Sequence, residues 1–429
     1  MSSPTPDAQL AADRRLRRRY RQERVFRAFA LAAIGFALAA LAGLLVSISY
    51  QSLSVITQSS VELDVVLDPD ALDPLGDGSA ASLAAANYAK PVRSALRGLF
   101  PEVGKRRERK ALVRLLSDGA EYDLRAFMEA NPELIGSTQT FVFPLSDDVD
   151  LFLKGSIDSE VDEADRKISD QQIGWVETLD AQGRISQPWN WRFLFAGDSR
   201  EPELAGLQGA IRGSMLTLLI TFLLSFPIGV CAAVYLEEFA PKNRFTDVVE
   251  VNINNLAAVP SIIFGLLGLA VFLNIFGMPR SAPLVGGVVL ALMTLPTIII
   301  AGRAALSAVP PSIREAALGI GASPTQAVFH HVLPQAVPGI LTGTIIGMAR
   351  SLGETAPLLM IGMVAFIADL PTGVDDPSTV LPVQIFLWND APERAFVART
   401  SGAIVVLLGF LIAMNAAAVW VRRRFEMRG

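Results

Sequence analysis

Cysteine and histidine are almost missing from this sequence of 429 residues. It contains one cysteine, Cys231, and two histidines, His330 and His331. A single cysteine allows no disulfide within the chain, and these few ligands allow neither a cysteine-based nor a histidine-rich metal site. We therefore expect no metal on this chain, and we expect the adjacent histidines to lie on a loop surface.

A phosphate-binding loop for ATP is missing as well. The nearest pattern has five residues between Gly98 and Gly104, and it has Arg106 after Lys105 where Ser or Thr is required. Any ATP that drives this protein is therefore expected to be hydrolysed, with its Mg²⁺, on another chain. The sequence predicts neither a cofactor nor an enzymatic activity here.

Apolar residues, in contrast, are abundant. They make up 51% of the chain, and the mean hydropathy is +0.41. Six segments approach or exceed the roughly 20 residues that cross a bilayer as a helix. These segments are 28–48, 213–236, 256–276, 284–301, 339–367 and 402–421. The sequence thus predicts an all-α polytopic membrane protein with six transmembrane helices.

Basic residues at both ends predict the orientation of these helices. Residues 1–50 combine eight arginines between Arg14 and Arg27 with the first span. Such a block stays in the cytoplasm, and next to an apolar span it indicates a membrane anchor rather than nucleic-acid binding. The span lacks a convincing cleavage site, so we expect it to be retained. Six crossings then place the loop at 304–338 and the basic tail at 422–424 in the cytoplasm.

Residues 51–206 are a polar domain that follows one crossing and is therefore expected outside the cytoplasm. They hold 27 acidic and 16 basic side chains. Alternation predicts strands at 61–65, 141–143, 151–153, 173–179 and 185, and helical patterns occupy 82–99 and 105–128. The mixture predicts a small α+β fold. Without histidine or cysteine it offers no nucleophile–base pair, and we expect its carboxylates to be a solvated surface.

Four of the apolar spans contain a proline. These prolines are Pro227, Pro260, Pro296 and Pro357. Each removes one helix hydrogen bond and favours a kink, which predicts that these helices form a mutually packed, mobile core. The alternative is that prolines are simply common in membrane helices.

Residues 304–338, here called the coupling loop, separate two apolar spans with a series of turn signals. Pro310 and Pro311 can open a first helix that ends near Gly319 and Gly321, since glycine tolerates a positive φ. A short capped helix on a membrane protein presents one defined face to a groove on a partner. The coupling loop is therefore predicted to dock another protein.

A second helix should follow at once. Ser323 is a capping residue, Pro324 stands at the first helical position and Gln326 at the third, a combination that defines a helix start. Pro334 is expected to end this second helix.

The spacing within the coupling loop resembles a known docking element. The residues that carry the resemblance are Glu315, Ala316, Ala317, Gly321, Leu333 and Pro334. They look like the EAA loop by which permease subunits of ABC importers dock on their ATPase. His331 departs from that pattern, because an aliphatic residue is usual there. The resemblance implies that these six residues couple the chain to an ATPase.

Arg350 and Glu354 are charged residues within the apolar span 339–367. A charge at the centre of a membrane helix costs at least about 2.5–3.5 kcal/mol, so something must offset that cost. Their i, i+4 spacing predicts that both share one helix face. They are therefore predicted to face protein or a substrate pathway. A structural ion pair is the alternative, although Arg before Glu is the weaker order for a helix salt bridge.

Small residues recur beside this pair, and they predict close approach of a neighbouring helix. The ladder consists of Gly339, Gly343, Gly347, Ser351 and Thr355. Arg303, at the end of the span 284–301, is a further candidate for the substrate pathway. Its alternative is an anchor that obeys the positive-inside rule.

Two long stretches carry a more specific resemblance. Residues 235–272, YLEEFAPKNRFTDVVEVNINNLAAVPSIIFGLLGLAVF, and 333–362, LPQAVPGILTGTIIGMARSLGETAPLLMIG, look like phosphate ABC importer permeases of the PstA type. Arg350 and Glu354 match the charged ARxLGE motif of that family. The resemblance implies a type I importer permease core at 207–429, in a bacterial inner membrane. The polar domain resembles an insert found in a longer variant of the family.

That family implies both a function and partners. The chain would import inorganic phosphate together with a second permease subunit of the PstC type, an ATPase dimer of the PstB type and an extracytoplasmic phosphate-binding protein. The charged pair suits this substrate, because a guanidinium fork matches phosphate oxygens and a carboxylate accepts a hydrogen bond from an oxyanion that still carries a proton. Sulfate at neutral pH carries none.

Other functions remain open from the sequence. A permease for another oxyanion, such as phosphonate, molybdate or sulfate, would look similar. A secondary carrier would need coupling-ion carboxylates at mid-membrane, and Glu354 is the only candidate. A membrane-anchored sensor or enzyme would not need five further spans.

Overall fold

The computed structural model describes residues 6–158, 161–364, 366–367 and 369–426, with side chains between residues 19 and 424 of those ranges. The chain divides into two compact units, Met1–Gln51 and Ser52–Gly429. Helix α1, Pro6–Ile56, supplies the described part of the first unit and contains the first predicted span. The remaining elements belong to the second unit.

Within its described residues, 51–158 and 161–206, the polar domain has eight α-helices after α1, short 3-10 turns and three strands. In chain order they are β1 Ser60–Val66, α2 Pro69–Leu72, α3 Ala80–Ala85, α4 Ala89–Leu99, α5 Arg106–Val113, α6 Gly119–Ala130, β2 Thr138–Pro144, α7 Asp147–Leu153, α8 Asp170–Ala181, β3 Ile185–Ser186 and α9 Trp191–Phe195. The strands form one antiparallel sheet in the order β2-β1-β3. This part of the chain therefore has an α+β fold.

Strand β1 is the centre of the polar domain because its apolar residues alternate onto one buried face. Val61, Leu63 and Val65 are fully buried, and Leu63 pairs across the sheet with Phe141. Helices α4, α5 and α6 cover this face with leucines that are equally buried, such as Leu96. Burial of each such side chain contributes about 1.5–3 kcal/mol to folding.

Two segments that were predicted as strands are helices. Residues 151–153 lie in α7, whose first turn carries three aspartates that favour the positive end of the helix dipole. Residues 173–179 lie in α8, which begins with a capping box between Ser169 and Gln172. Short apolar runs fit strands and buried helices equally well, and here the aspartates at the start of α7 and the capping box of α8 favour helix.

The second half of the unit is helical throughout. Its helices are α10 Gln208–Val234, α11 Arg244–Ala257, α12 Ser261–Leu267, α13 Pro283–Ser307, α14 Pro311–Gly319, α15 Pro324–Ala327, α16 Leu333–Gly353, α17 Ala356–Met360, α18 Leu381–Asn389 and α19 Ala395–Glu426. Three π-helical turns extend α10, α12 and α15, at Tyr235–Phe239, Gly268–Leu273 and Val328–Val332.

Helices α10, α13 and α16 form the centre of this half, and α19 packs against α16. Glycines permit the close approach. A Cβ at Gly343 of α16 would overlap Ala301 of α13, and one at Gly287 of α13 would lie 2.5 Å from Ile220 of α10. The predicted small-residue ladder on α16 therefore packs against α13, where the Ser351 hydroxyl also lies 2.6 Å from that of Thr294.

Five helices in the described part of the chain are long and apolar enough to cross a membrane. They are Arg19–Ile56, Gln208–Phe239, Pro283–Ser307, Pro324–Gly353 and Ala395–Arg424. A sixth crossing exists if Arg244–Ala257 and Ser261–Leu273, which meet at a bend of 102°, count as one span. The prediction of one continuous helix over 256–276 is wrong, because the chain breaks there.

Prolines occupy both predicted and unexpected positions. Pro227 and Pro296 lie inside α10 and α13, as predicted. Pro260 instead caps α12 at the 102° bend, and Pro357 lies in the first turn of α17. The prediction of a proline within a continuous helix is therefore wrong at these two sites. Proline lacks an N–H and clashes with the preceding turn, so both helices restart there.

The polar domain is joined to the last helix by a buried arginine. Arg399 of α19 is 5% exposed and donates hydrogen bonds to the carbonyl oxygen of Ala205, at 2.8 Å, and to Oε1 of Gln58, at 3.3 Å. These acceptors lie at the two ends of the polar domain. The guanidinium thus holds both ends of that domain against α19.

Candidate functional site

The coupling loop folds as the two capped helices that the sequence predicts. Helix α14 ends at Gly319, and Gly321 follows with φ of +92°. The Ser323 hydroxyl accepts from the backbone N–H of Gln326, whose side chain accepts from the backbone N–H of Ser323, which completes a capping box. These local bonds give the turn between the helices one defined geometry.

The outer surface of the coupling loop exposes large apolar side chains among polar ones. Leu318 is 48% exposed, Ile320 82% and Phe329 49%. Among the motif residues, Ala317 is buried beneath this surface, whereas Glu315 and Ala316 are exposed. An exposed apolar surface on a fixed helix pair is typical of a protein-binding site.

Pro334 does not end the second helix, so that prediction is wrong. The helix continues from Pro324 to Gly353. A π-helical turn at Val328–Val332 precedes Leu333 and Pro334, which start α16. Proline at the beginning of a helical segment loses no hydrogen bond that the segment needs, so the chain passes from docking helix to membrane span without a break.

Arg314 attaches the coupling loop to the end of α10. Its guanidinium binds the carboxylate of Glu238 from two nitrogens, with Nη2 2.5 Å from Oε1 and Nε 3.1 Å from Oε2. It also donates to the carbonyl oxygens of Leu306 and Val309, at 2.9 and 2.8 Å. The hydrogen bond with Glu238 is the main reason that the pKa of Arg314 is raised. Bonds to Glu238 and Leu306 therefore fix α14 to the ends of two membrane helices.

Arg303 lies beside this contact. Its Nη2 is 2.8 Å from Glu250, and its Nε is 3.2 Å from Glu237. Two carboxylates thus share one guanidinium, which favours the anchoring alternative for Arg303 over a place in the substrate pathway.

Arg350 and Glu354 do not lie within one continuous helix, which corrects the sequence prediction. Arg350 is in the last turn of α16, and Glu354 caps its end with ψ of 121°. The helix stops because Gly353 weakens it and Pro357 has no N–H to donate to the carbonyl of residue 353. Arg350 Nε is 3.5 Å from Glu354 Oε1, at the outer limit of a hydrogen bond.

The two residues differ in exposure. The side chain of Arg350 is 54% exposed and that of Glu354 18%. Ile346, one turn earlier on the same face as Arg350, is 61% exposed. Within the described residues the guanidinium has no other side-chain or backbone partner. Its donors are therefore available on a face of α16 that this chain does not cover.

Two helix breaks are close in space. The segments that follow them, α12 and α17, pack against each other, and a Cβ at Gly265 would lie 2.6 Å from Cα of Pro357. Breaks of this kind are where transporters place substrate sites, because helix ends and unpaired backbone groups become available there. The sequence signals of Pro260 and Pro357 were present but were interpreted as kinks.

Sequence reasoning missed Glu237, Glu238, Glu250 and Arg314. Charges that flank apolar spans look like solvated anchors in a sequence, and only the fold shows that residues 76 positions apart form the Arg314–Glu238 pair.

Comparison with known proteins gives two family matches. Residues 211–428 match the family described as "Binding-protein-dependent transport system inner membrane component". Residues 13–163 match "Domain of unknown function (DUF3333)", which begins in α1 and ends within the polar domain. The first match covers the coupling loop, Arg350 and Glu354, and about half of the chain.

Individual relatives match somewhat more than half of the chain. The phosphate transport system permease protein PstA 1 of Mycobacterium tuberculosis is 29% identical over 58% of this chain and 81% of its own length. PstA of Yersinia pestis is 30% identical over 54% of this chain and 78% of its own. A chain of the inward-facing MetNI methionine ABC transporter overlaps 50% of this chain and 94% of its own, with 22% identity and a TM-score of 0.41.

The family match at residues 211–428 and the two PstA relatives confirm the prediction of a multi-pass transport subunit rather than an enzyme. The chain belongs to the family of binding-protein-dependent transport system inner membrane components, the permease subunits of ABC transporters.

Proposed function

We propose that this chain is a permease subunit of an ATP-driven importer of inorganic phosphate. The coupling loop is the observation that best supports transport. Its capped helices present apolar side chains to a partner and are held to α10 through Arg314 and Glu238. The names of the PstA relatives support phosphate as the substrate. Phosphonate, molybdate and sulfate are the competing oxyanions.

The partners follow from what this chain does not provide. A second permease subunit of the PstC type would cover the face of α16 that carries Arg350. An ATPase dimer of the PstB type would bind the coupling loop and hold ATP with Mg²⁺. An extracytoplasmic phosphate-binding protein would deliver the substrate. This arrangement requires cytoplasmic termini, a cytoplasmic coupling loop and an extracytoplasmic polar domain.

Arg350 and Glu354 are proposed to contact the passing anion. A cation with 54% of its side chain exposed on a membrane helix is costly against lipid, so a partner subunit or a water-filled route must cover it. The weak contact of 3.5 Å leaves the guanidinium free to bind phosphate oxygens. Glu354 would accept a hydrogen bond from the protonated oxygen of phosphate. It would disfavour sulfate, which carries no proton at neutral pH.

Uptake of radiolabelled phosphate tests the function. Cells that lack their own phosphate importers should accumulate phosphate when they express this chain with its three proposed partners. An inactive ATPase should abolish uptake, whereas collapse of ion gradients at constant ATP should not, which separates an ABC importer from a secondary carrier. Uptake of labelled molybdate or phosphonate without uptake of labelled phosphate would contradict the proposed substrate.

Substitutions test the charged pair. Arg350→Gln should abolish uptake in complexes that assemble normally, and Glu354→Gln should weaken phosphate uptake and admit more sulfate when the binding protein is bypassed. Arg423→Gln, which removes an exposed arginine from α19, is the matched control. If both site variants assemble poorly and uptake per assembled complex is unchanged, the pair braces the structure instead.

Labelling tests the orientation. In a Cys231→Ser background, a cysteine at Gln326 should resist an impermeant reagent in intact cells, and a cysteine at Asp77 of the polar domain should react. The reverse pattern would contradict the proposed topology.

A further inference from the structure

A basic cavity lies in the polar domain, and it shares no residue with the coupling loop or the charged pair. Its volume is about 780 Å³. Helices α4 and α5 supply one wall, where basic residues recur at helical spacing and so point the same way. The basic residues that line it are Arg93, Arg97, Arg106, Arg109, Lys110 and Arg114.

The charges of this wall are not neutralised within the protein. Arg109 donates from Nε to the carbonyl oxygen of Val103 at 3.1 Å, which fixes its orientation. The side chains of the other five basic residues form no hydrogen bond or ion pair with the residues that the structure describes. Glu108, the acidic residue of α5, pairs instead with Lys105 at 3.2 Å. Like charges held together in this way are stabilised by an anion.

The opposite rim of the cavity is acidic. It contains Asp118, Asp147, Glu201 and Glu203. Burial raises the pKa of Glu203 to about 7. Burial, followed by the nearby carboxylates of Asp118 and Asp147, also raises the pKa of Glu201. These carboxyl groups thus crowd one another instead of pairing with the arginines, and they line the same cavity as the basic residues.

We propose that this cavity binds a polyvalent phosphate anion, with its phosphoryl oxygens on α4 and α5 and a P–OH group donating to the acidic rim. One guanidinium group can bind two phosphate oxygens at once. Six cations therefore match an anion with more than one phosphoryl group. A volume of about 780 Å³ lies within the range of small-molecule sites. Its concave shape also fits a small molecule better than a flat protein surface.

Binding of inorganic tripolyphosphate to the purified full-length chain in nanodiscs tests this site without any transport assay. We expect saturable binding that sulfate at equal ionic strength does not displace. Replacing one arginine on each wall helix, in the variant Arg97→Gln/Arg106→Gln, should weaken it at least about tenfold, because each loses a charge-assisted hydrogen bond. Arg107→Gln removes one charge from α5 outside the cavity and should change binding less than about twofold, since its guanidinium makes no direct bond to the anion.

Chemical modification of the unmutated chain gives an independent measurement. Tripolyphosphate should protect Arg97 and Arg106 from phenylglyoxal and leave Arg107 reactive. Melting curves of the variants show whether they are folded.

Three results would overturn the proposal. One is unchanged affinity in the folded double variant, and another is an equal loss in Arg107→Gln. The third is a phosphate-binding protein that needs these arginines to dock while tripolyphosphate does not bind. A failure of the phosphate-uptake assay would not contradict this site, because the cavity shares no residue with the coupling loop or with Arg350 and Glu354.

Discussion

The ion pair between Arg314 and Glu238 should decide how firmly the coupling loop is held. The side chain of Glu238 is 7% exposed and that of Arg314 25%, so the pair is largely shielded from water. Glu238→Gln keeps the shape and one acceptor oxygen but removes the charge, and a hydrogen bond to a charged group contributes about 1.5–3 kcal/mol. Arg314 keeps its bonds to the carbonyls of Leu306 and Val309. We expect α14 to be destabilised locally by about 2 kcal/mol.

Hydrogen exchange measures this effect directly. A loss of about 2 kcal/mol corresponds to roughly a thirtyfold faster exchange of the α14 amides, since 1.36 kcal/mol is a factor of ten. In the transport assay the same variant should hydrolyse ATP with little uptake, because a loosened α14 transmits less movement to α10.

Glu250→Gln is the matched control, because it removes a neighbouring carboxylate while Arg303 keeps Glu237 at 3.2 Å. It should leave exchange in α14 unchanged. A double-mutant cycle between Glu238→Gln and Arg314→Gln should give a coupling energy above about 1 kcal/mol. A coupling below about 0.5 kcal/mol, or equally fast exchange in Glu250→Gln, would refute the reasoning.

Three further predictions follow from positions where the structure allows little freedom. Gly343→Val should overpack α16 against α13, reduce the free energy of unfolding by about 1–3 kcal/mol and so lower the melting midpoint. Gly353→Val has open space around its Cβ and should leave the melting midpoint unchanged. Gly321→Val forces a side chain to φ of +92°, so the assembled complex should hydrolyse ATP with little uptake. Gly319→Val, at a negative φ, should transport normally. Wild-type uptake by both variants would contradict the role of Gly321. Because the pKa of Glu203 is raised, its neutral carboxyl group should stabilise the fold fully below pH about 4.5. This contribution, about 3 kcal/mol, should be lost as pH rises through about 7. Melting midpoints in Glu203→Gln should therefore fall less between pH 5 and 8 than in the unmutated chain, and an equal fall would contradict it.

Local signals predicted the parts of the fold that depend on a few adjacent residues. The capping box at Ser323 and the positive φ at Gly321 are set by bonds within four residues, so the sequence predicted both. The alternation of Val61, Leu63 and Val65 likewise predicted the central strand.

Features that depend on distant residues could not be predicted in the same way. The carboxylate that binds Arg314 is 76 residues away, and no spacing rule connects the two. The breaks at Pro260 and after Gly353 were missed because a proline can bend a membrane helix or end it, and packing between α12 and α17 decides which. Arg350 and Glu354 were found by their charge, but their position at a helix end, rather than inside a helix, follows from that break.

The bond between Arg399 and Gln58 limits how modular this protein can be. The relatives match little more than half of this chain, which invites the view that the polar domain can be removed from the permease. Its removal would take away Gln58 and Ala205 together, and both partners of a guanidinium that is 5% exposed would be lost. The same removal would expose the guanidinium to water, because the space beside it is lined mostly by the polar domain, including Asp150 and Glu203. A shortened chain would therefore carry an uncovered arginine where the complete chain has a buried one, so the domain and this one side chain form a single heritable unit.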